Sequence, residues 1–251
     1  MNSKTIGVIP ARLASSRLPR KLLLDSTGKP LIQYVWEIAK RCAELDDVIV
    51  ATDSEEIADV VAAFGGRAEM TGEHPSGTDR VAEVVRRCCA DADIIVNLQG
   101  DEPELECGTI SALVQALKNT TAEMATVAAV MTDSEDVVSP DCVKVVVNDL
   151  GQAMYFSRSP IPFCRDESVA DTLEAHSESP WKLHVGLYAY QRDFLLKLTE
   201  MPTSSLEDLE KLEQLRALQA GATIQVATVA EAAVGIDTPG DYAAFVSRQM
   251  K

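Results

Sequence analysis

The sequence predicts an α/β fold with a mostly parallel but mixed sheet, and three observations support it. Apolar runs at residues 5–9, 47–52 and 93–98 lack the alternation of a half-exposed strand and are typical of parallel strands covered on both faces. Segments with apolar residues at helical spacing separate these runs, as in a βα alternation. A later pair of strands, joined by a short polar turn, breaks the alternation and adds antiparallel pairing.

The first strand leads into a loop of residues 10–21 that is rich in fixed positive charge, which we call the cationic loop. The strand is expected to end at Pro10, which has no backbone N–H for a sheet ladder. The cations of the loop are Arg12, Arg17, Arg20 and Lys21. A charged loop directly after the first strand of such a sheet lies where these sheets bind ligands, so we interpret it as a phosphate site. A merely solvated basic loop is the alternative.

Neither of two familiar nucleotide-binding patterns, G-x-x-x-x-G-K-[ST] and G-x-G-x-x-G, occurs in the chain. Cationic side chains would therefore contribute more to phosphate binding than a glycine-rich backbone does.

Helices and strands alternate through the rest of the first half. The predicted helices cover about residues 31–42, 55–64, 78–88 and 108–118, and the predicted strands cover 47–52, 67–71, 93–98 and 124–130. Pro30 suits the first turn of its helix. Thr78, Asp79 and Arg80 lie at a helix N-terminus, which attracts anions and polar ligand groups. Capping by Ser76 or Thr78, with a solvated Arg80, is the alternative.

An acidic turn, Gln99-Gly100-Asp101-Glu102-Pro103, follows the strand at residues 93–98. A carboxylate just past the end of a central strand is well placed to hold a metal ion or a substrate hydroxyl. A plain acidic turn is the other interpretation, but the cationic loop after the first strand favours a shared site.

The second half departs from simple alternation. Residues 143–147 and 154–156 predict a hairpin, and 165–180 is polar, acidic and predicted to be mobile. A strand at 182–191 would place His184, Tyr188 and Tyr190 on one side of the pleat. A hydrogen-bonded core histidine without a binding role is the alternative for His184. The remaining predictions are a helix at 206–220 with Leu209, Leu212 and Leu215 inward, a strand at 222–229, and a final helix at 240–249 that follows Asp237.

Composition narrows the class of protein. The 251 residues suffice for one large domain or a domain with an embedded subdomain. A net charge of −16 argues against a nucleic acid or an anionic membrane as partner. No apolar run approaches the ~18 residues of a membrane span, and the N-terminus shows no signal peptide, so we expect a cytoplasmic protein. The six cysteines have no C-x-x-C spacing and are expected to be reduced.

Eight motifs, in this order and spacing, resemble those of the 3-deoxy-D-manno-octulosonate (Kdo) cytidylyltransferases, over essentially the whole chain. They are PARLASSRLPRK (10–21), ATDSEE (51–56), SGTDR (76–80), NLQGDEP (97–103), YFSRSPIP (155–162), HVGLYAY (184–190), LEQLR (212–216) and GIDTP (235–239). The first motif alone indicates only a sugar nucleotidyltransferase.

The resemblance implies roles for individual residues. It implies a triphosphate-binding set of Arg12, Ser15, Arg17 and Lys21, with Lys21 and Arg12 also catalytic, and a cytosine and ribose set of Ser76, Arg80, Gln99 and Gly100. It implies that Asp101 and Asp237 are catalytic and hold Mg²⁺. It implies a sugar-acid set of Arg165, His184, Tyr188, Glu213 and Gln214. The chain departs from the family pattern at Arg20 and Leu22, where relatives commonly have Gly-Lys-Pro around the lysine.

The resemblance also implies a fold and an activity. The fold is a Rossmann-like, three-layer α/β/α nucleotidyltransferase fold in a single domain, residues 1–251. Within it, residues 1–142 and 231–251 form the nucleotide-binding core, and 143–230 form an embedded sugar-site and dimerisation segment. The activity is Mg²⁺-dependent transfer of CMP from CTP to Kdo, with release of pyrophosphate, for lipopolysaccharide synthesis, by a homodimer.

Three other functions stay open at this point. The first is the same transfer of CMP to a different acceptor, either an amino-substituted Kdo or a sialic acid. The second is a catalytically silent nucleotide-sugar binding protein, against which Lys21, Asp101 and Asp237 argue. The third is a glycosyltransferase, which needs a D-x-D type metal site that the Gly100-Asp101-Glu102 turn does not supply.

Overall fold

The structure is a computed structural model that describes residues 3–15 and 17–250. Its strands are β1 (Thr5–Ala11), β2 (Asp47–Thr52), β3 (Arg67–Met70), β4 (Ile94–Asn97), β5 (Met124–Val130), β6 (Lys144–Val147), β7 (Ala153–Ser157), β8 (Lys182–Gln191) and β9 (Ile224–Val229). Its α-helices are α1 (Leu31–Arg41), α2 (Glu55–Ala63), α3 (Gly77–Cys88), α4 (Cys107–Lys118), α5 (Ser134–Val138), α6 (Val169–Ala175), α7 (Arg192–Leu198), α8 (Ser205–Glu210), α9 (Gln214–Gln219) and α10 (Pro239–Gln249). A short 3₁₀ helix, Lys21–Leu23, follows the cationic loop.

The chain forms two compact units. Unit 1 contains Met1–Ser111, Gln191–Thr199 and Ala233–Lys251, and unit 2 contains Ala112–Tyr190 and Glu200–Ala232. One boundary between the units falls inside α4. Each unit is made of segments that are discontinuous in sequence.

Unit 1 carries parallel strands in the order β3-β2-β1-β4. The strands β1, β2 and β4 are apolar and buried, as predicted. The expectation that Pro10 ends β1 is wrong, because β1 continues to Ala11 beside β2. Pairing with β4 has already ended at Val8↔Asn97, so the N–H that Pro10 lacks would face no ladder partner on that side.

Helices α2, α3 and α10 of unit 1 begin at side-chain caps that the sequence provides. Ser54 caps α2 through Ile57 N, and Ser76 rather than Thr78 caps α3. Thr238 caps α10 in a reciprocal capping box with Asp241. The buried cluster Leu18, Leu31, Ile236 and Phe245 packs the cationic loop and the segment before α10 against α1. This cluster brings distant parts of the chain to the functional site.

Unit 2 contains the antiparallel part of the fold. Strand β5 pairs parallel with β9 and antiparallel with β8. The predicted hairpin is confirmed, because β6 and β7 pair antiparallel through a turn in which Gly151 has a φ of 72°. The α/β class with both parallel and antiparallel pairing is therefore confirmed, while the sequence did not predict α5, α6 and α7. Helix α6 lies within the segment 165–180 that was predicted to be mobile, and its Leu173 packs with Trp181.

The single helix predicted for residues 206–220 is wrong. Two short helices, α8 and α9, replace it, because Lys211 takes a left-handed conformation with φ 54° that no α-helix can continue through. Leu209, predicted to face inward, is 80% exposed, whereas Leu212 and Leu215 are buried as predicted. No helix among residues 3–15 and 17–250 combines the length and the apolar character that a membrane crossing requires.

Candidate functional site

Lys21 lies at the centre of a charge cluster in unit 1. Its ammonium group donates to Asp101 Oδ2 at 2.5 Å and to Asp237 Oδ1 at 3.0 Å, and only 12% of its side chain is exposed. Burial alone would lower the pKa of Lys21, but the hydrogen bonds and charges of the two aspartates outweigh it and raise the pKa. Lys21 is therefore a fixed positive charge held between two carboxylates.

The two aspartates are brought together by a backbone contact between their segments. Ile236 N donates to Asp101 O at 2.9 Å, and Ile236 is itself anchored in the buried cluster with Leu18. Gly100 lets the turn after β4 pack closely, since a Cβ there would lie 3.3 Å from both Ile9 and Leu22. The carbonyl of Gln99 accepts from Glu102 N within the same turn. The predicted association of this turn with the cationic loop is thus present in the structure.

Other parts of the cationic loop differ in what they contact. Arg17 pairs with Asp237 Oδ2 at 3.0 Å and is 66% exposed. Arg12 is exposed directly after β1, and Ser15 is half-buried. Ser16 lies outside the described residues. Arg20 has a φ of 56°, a left-handed backbone conformation that glycine adopts more readily than arginine does, and its side chain pairs with Glu56.

The start of α3 packs beside the cationic loop. A Cβ on Gly77, next to the cap Ser76, would lie 3.4 Å from Pro10. Arg80 is not solvated: it is 4% exposed and donates to Asp53 Oδ2 and Thr71 Oγ1, both at 2.5 Å. Its guanidinium thus joins the ends of β2 and β3 to the first turn of α3.

In unit 2, three of the predicted sugar-acid residues lie together. The Tyr188 hydroxyl donates to Gln214 Oε1 at 3.1 Å, and the His184 and Tyr188 rings lie 5.5 Å apart. His184 Nε2 lies 3.0 Å from Thr126 Oγ1, and loss of hydration lowers the pKa of His184 to about 3, so the ring is neutral. Gln214 is 4% exposed, and its Nε2 has no partner among the described residues. A buried amide donor beside two aromatic rings suits a polar ligand group.

The remaining two residues of that set are placed differently. Arg165 has a side chain that is 91% exposed and lies 3.8 Å from Asp166. Glu213 is exposed at the position before α9, and its charge helps to raise the pKa of Tyr188, after burial and the charge of Tyr190. The structure thus does not bring Arg165 to His184 by any contact that it describes.

Sequence analysis missed several residues of these clusters. Thr126 is a polar residue in an otherwise apolar strand, and that contrast was the available signal. Asp53 directly precedes Ser54, the cap of α2, yet it pairs with Arg80. Glu102 is buried, its Oε2 has no partner among the described residues, and burial followed by the charge of Asp101 raises its pKa to about 8. Nothing in the sequence distinguished Glu102 from a surface acid.

The carboxylate pair fits the oxygen ligands that Mg²⁺ prefers. Mg²⁺ commonly binds through one or two carboxylates together with substrate phosphates and water. Asp101 and Asp237 both reach one ammonium group, so a single cation can be shared between them. No third His, Cys, Asp or Glu joins them within the part of the chain that the structure describes, so further ligands would come from substrate or water.

Comparison with known proteins identifies the family. The cytidylyltransferase family model matches residues 6–224. The chain belongs to the cytidylyltransferase family. It is 47% identical to the 3-deoxy-manno-octulosonate cytidylyltransferase of Geobacter sulfurreducens, over 94% of this chain and 95% of that protein. It is 46% identical to the enzyme of the same name from Rhodopirellula baltica, over 98% of both chains.

Solved structures of cytidylyltransferases agree with the fold. The structure of a CMP:2-keto-3-deoxy-manno-octonic acid synthetase complexed with CTP matches with a TM-score of 0.90 and 42% identity, over 99% of each chain. A 4-diphosphocytidyl-2C-methyl-D-erythritol synthase from Anaerococcus prevotii matches with a TM-score of 0.66 at 12% identity. The second likeness shows the fold alone, and the Rossmann-like nucleotidyltransferase prediction is confirmed.

Proposed function

We propose that the chain transfers CMP from CTP to Kdo, forming CMP-Kdo and pyrophosphate. The observation that carries the proposal is the meeting of Lys21, Asp101 and Asp237 in one cluster beside the cationic loop. Two relatives named 3-deoxy-manno-octulosonate cytidylyltransferase, 46–47% identical over nearly the whole chain, support the choice of both substrates. The product, CMP-Kdo, is the activated form of the sugar acid for lipopolysaccharide synthesis.

The reaction needs charge neutralisation more than covalent chemistry from the protein. A hydroxyl group of Kdo loses its proton to water as its oxygen bonds to the α-phosphorus, the bond from that phosphorus to the bridging oxygen breaks, and pyrophosphate leaves with the electron pair of that bond. Both substrates are anions, so their repulsion must be reduced before they approach. Arg12, Arg17 and Lys21 would bind the triphosphate, with Ser15, and stabilise the charge on the departing pyrophosphate.

Asp101 and Asp237 would hold Mg²⁺, which fits their geometry. When bound there, the metal supplies a Lewis acid that offsets phosphate charge and lowers the pKa of a hydroxyl group.

The two substrates would use different elements of the fold. The cap Ser76, Arg80 and the Gln99-Gly100 turn flank the cationic loop and are proposed to bind cytosine and ribose. Neutral His184, Tyr188 and Gln214, with Glu213 and Arg165, are proposed to bind the sugar acid. The Nε2 of Gln214 has no partner among the residues that the structure describes, which supports this role, since a buried donor of this kind suits a carboxylate or hydroxyl oxygen.

Release of pyrophosphate from CTP tests the proposal directly. We expect release only when Kdo and Mg²⁺ are both present, and little with either omitted. Comparing kcat/KM for Kdo, an amino-substituted Kdo and a sialic acid at a fixed CTP concentration identifies the acceptor. Absence of Mg²⁺-dependent release with every acid would favour a silent binding protein instead.

We also propose that the segment 143–230 supplies the sugar site and much of a homodimer surface, while 1–142 and 231–251 bind the nucleotide. Exposed apolar side chains in this segment, Leu150, Met154, Phe163 and Leu209, support an interface there. A cytoplasmic location is consistent with the six cysteines, all of which are free.

A further inference from the structure

The carboxylates of Asp101 and Asp237 already have cationic partners within the chain. Lys21 binds Asp101 Oδ2 and Asp237 Oδ1, and Arg17 binds Asp237 Oδ2 at 3.0 Å. Both oxygens of Asp237 are therefore engaged by side-chain cations, and so is one oxygen of Asp101.

The proposed function requires different partners for the same groups. Triphosphate needs Lys21 and Arg17, and Mg²⁺ needs Asp101 and Asp237. A dication cannot take these carboxylate oxygens while an ammonium group occupies them, because two cations at hydrogen-bond distance from the same oxygens repel each other. Lys21 is the stronger obstacle, since only 12% of its side chain is exposed, whereas Arg17 is 66% exposed and better screened.

We propose that Lys21, assisted by Arg17, exchanges partners when the nucleotide binds. In the nucleotide-free protein the two cations neutralise Asp101 and Asp237 and oppose divalent metal binding. When CTP arrives, the cations turn to its phosphates, and the released carboxylates become available to the metal. This inference rests on the proposed function, and it adds a coupling between two binding events that the function alone does not require.

Coupling of this kind is reciprocal. If bound CTP increases the affinity for the metal, the metal increases the affinity for CTP by the same factor. The long, flexible side chain of lysine allows the exchange without movement of the backbone. Lys21 would then keep metal off the site until the substrate that needs it is present.

Metal binding to the nucleotide-free protein tests the exchange without any turnover. Mn²⁺ replaces Mg²⁺ as the probe, and electron paramagnetic resonance measures its free concentration. Lys21→Met keeps the aliphatic stem and removes the charge, and it should bind Mn²⁺ at least ~10-fold more tightly than the wild type. Lys29→Met is the matched control, because Lys29 pairs with Glu37 and with neither of the two aspartates, and its Mn²⁺ affinity should equal that of the wild type.

The double variant Lys21→Met/Asp101→Asn should lose the gain in affinity, which places the metal on Asp101. Lys21→Gln is a second variant without the charge, and it should also bind Mn²⁺ more tightly than the wild type. Thermal unfolding checks that each variant is folded. If neither folded Lys21 variant binds Mn²⁺ more tightly than the wild type, the exchange is wrong.

A separate measurement tests the underlying metal role. With CTP present and Kdo omitted, enhancement of water proton relaxation distinguishes Mn²⁺ bound in the protein complex from Mn²⁺ bound to free CTP. Asp101→Asn should weaken Mn²⁺ binding in that complex. Unchanged binding would overturn the metal role of Asp101 itself, whereas weakened binding together with unaltered nucleotide-free affinity in Lys21→Met would overturn only the exchange.

Discussion

Lys21 shows how one side chain takes its properties from its neighbours. The two aspartates raise its pKa although its burial opposes the charge, so Lys21 stays protonated through the physiological range. His184 shows the opposite case, because no charged group compensates its burial and it is held neutral. These two residues therefore have different chemistry: Lys21 is a permanent positive charge, and His184 is an uncharged hydrogen-bonding ring.

Lys21→Ala and Asp101→Ala should each reduce kcat for pyrophosphate release by ~100-fold or more, equivalent to about 3 kcal/mol of lost transition-state stabilisation. Steady-state assays at saturating Mg²⁺ measure the loss, and circular dichroism checks that the fold is retained. Lys29→Ala serves as a control that should keep its activity. A variant of Lys21 or Asp101 with the wild-type kcat would refute the role assigned to that residue.

His184 should stay neutral in the folded protein, since its pKa is lowered from 6.5 to about 3. A histidine with a depressed pKa contributes stability above its unfolded pKa, and that stability is lost as the pH falls towards the folded value. The free energy of unfolding of the wild type, relative to His184→Gln, should therefore fall as the pH drops below 6.5. Urea unfolding across this pH range measures it, and a difference independent of pH would contradict a buried neutral ring.

Elements of this fold end or bend where single residues take a left-handed backbone. Arg20 does so before the 3₁₀ helix, and Lys211 does so between α8 and α9. Neither residue is glycine, so each conformation has a steric cost that tertiary packing must offset. Because Lys211 is not a glycine, nothing in the helical spacing across residues 206–220 marked the position of the break.

Lys211→Gly should be more stable than Lys211→Ala by about 1 kcal/mol, because glycine adopts a left-handed conformation without the clash of a Cβ. Urea unfolding midpoints of the two variants measure the difference. Lys197, within helix α7, is the matched control, since there alanine should be more stable than glycine. If the glycine and alanine variants ranked in the same order of stability at both positions, the left-handed conformation of Lys211 would not be the cause of the difference there.

Lys144 on β6 is fully buried, and its ammonium group donates to the carbonyls of Ser139, Cys142 and Arg158. Lys144→Met keeps the volume but leaves these carbonyls without their donor, so we expect a loss of about 3 kcal/mol in unfolding free energy. Chemical denaturation measures it. Lys182→Met, on the adjacent strand β8, should change stability far less because Lys182 is only half-buried.

The whole chain combines a strongly acidic surface with a site for anions. Its net charge of −16 would oppose the approach of the two proposed anionic substrates, and we propose that Arg12, Arg17 and Lys21 offset that repulsion locally. The same excess charge makes two copies of the chain repel each other, and any dimer must overcome that repulsion by burying apolar surface.

Light scattering should give a mass twice the 27.1 kDa of the chain at physiological salt. Because salt screens repulsion between acidic subunits, the dimer should be weaker in low salt than in ~0.15 M salt. Its dissociation constant should therefore be higher in low salt. Phe163→Ser, at a residue that is 82% exposed, should weaken the dimer if the segment 143–230 forms the interface. A monomeric mass at every salt concentration would refute the proposed homodimer.

Much of the fold could be predicted from the sequence because the strands β2, β4 and β5 are mostly apolar along their length, which indicates burial without any knowledge of their neighbours. The hairpin of β6 and β7 was predictable from its turn. Asp101 and Lys21 were predictable as a shared site, because both follow strands of one sheet. The pairing of Asp53 with buried Arg80 was not predictable, since a capping residue and an ion-pair partner have the same local pattern.

By itself, the sequence determined the α/β class, most of the strands and the residues that carry charge at the site, because these follow from local hydrophobic patterns and residue types. Only the tertiary structure decided that Asp237 joins Asp101 through Ile236, that the helix breaks at Lys211, and that His184 is neutral. The physical reason is that contacts between distant residues, exclusion of water and backbone strain depend on what the folded chain places together, and local spacing contains none of that information.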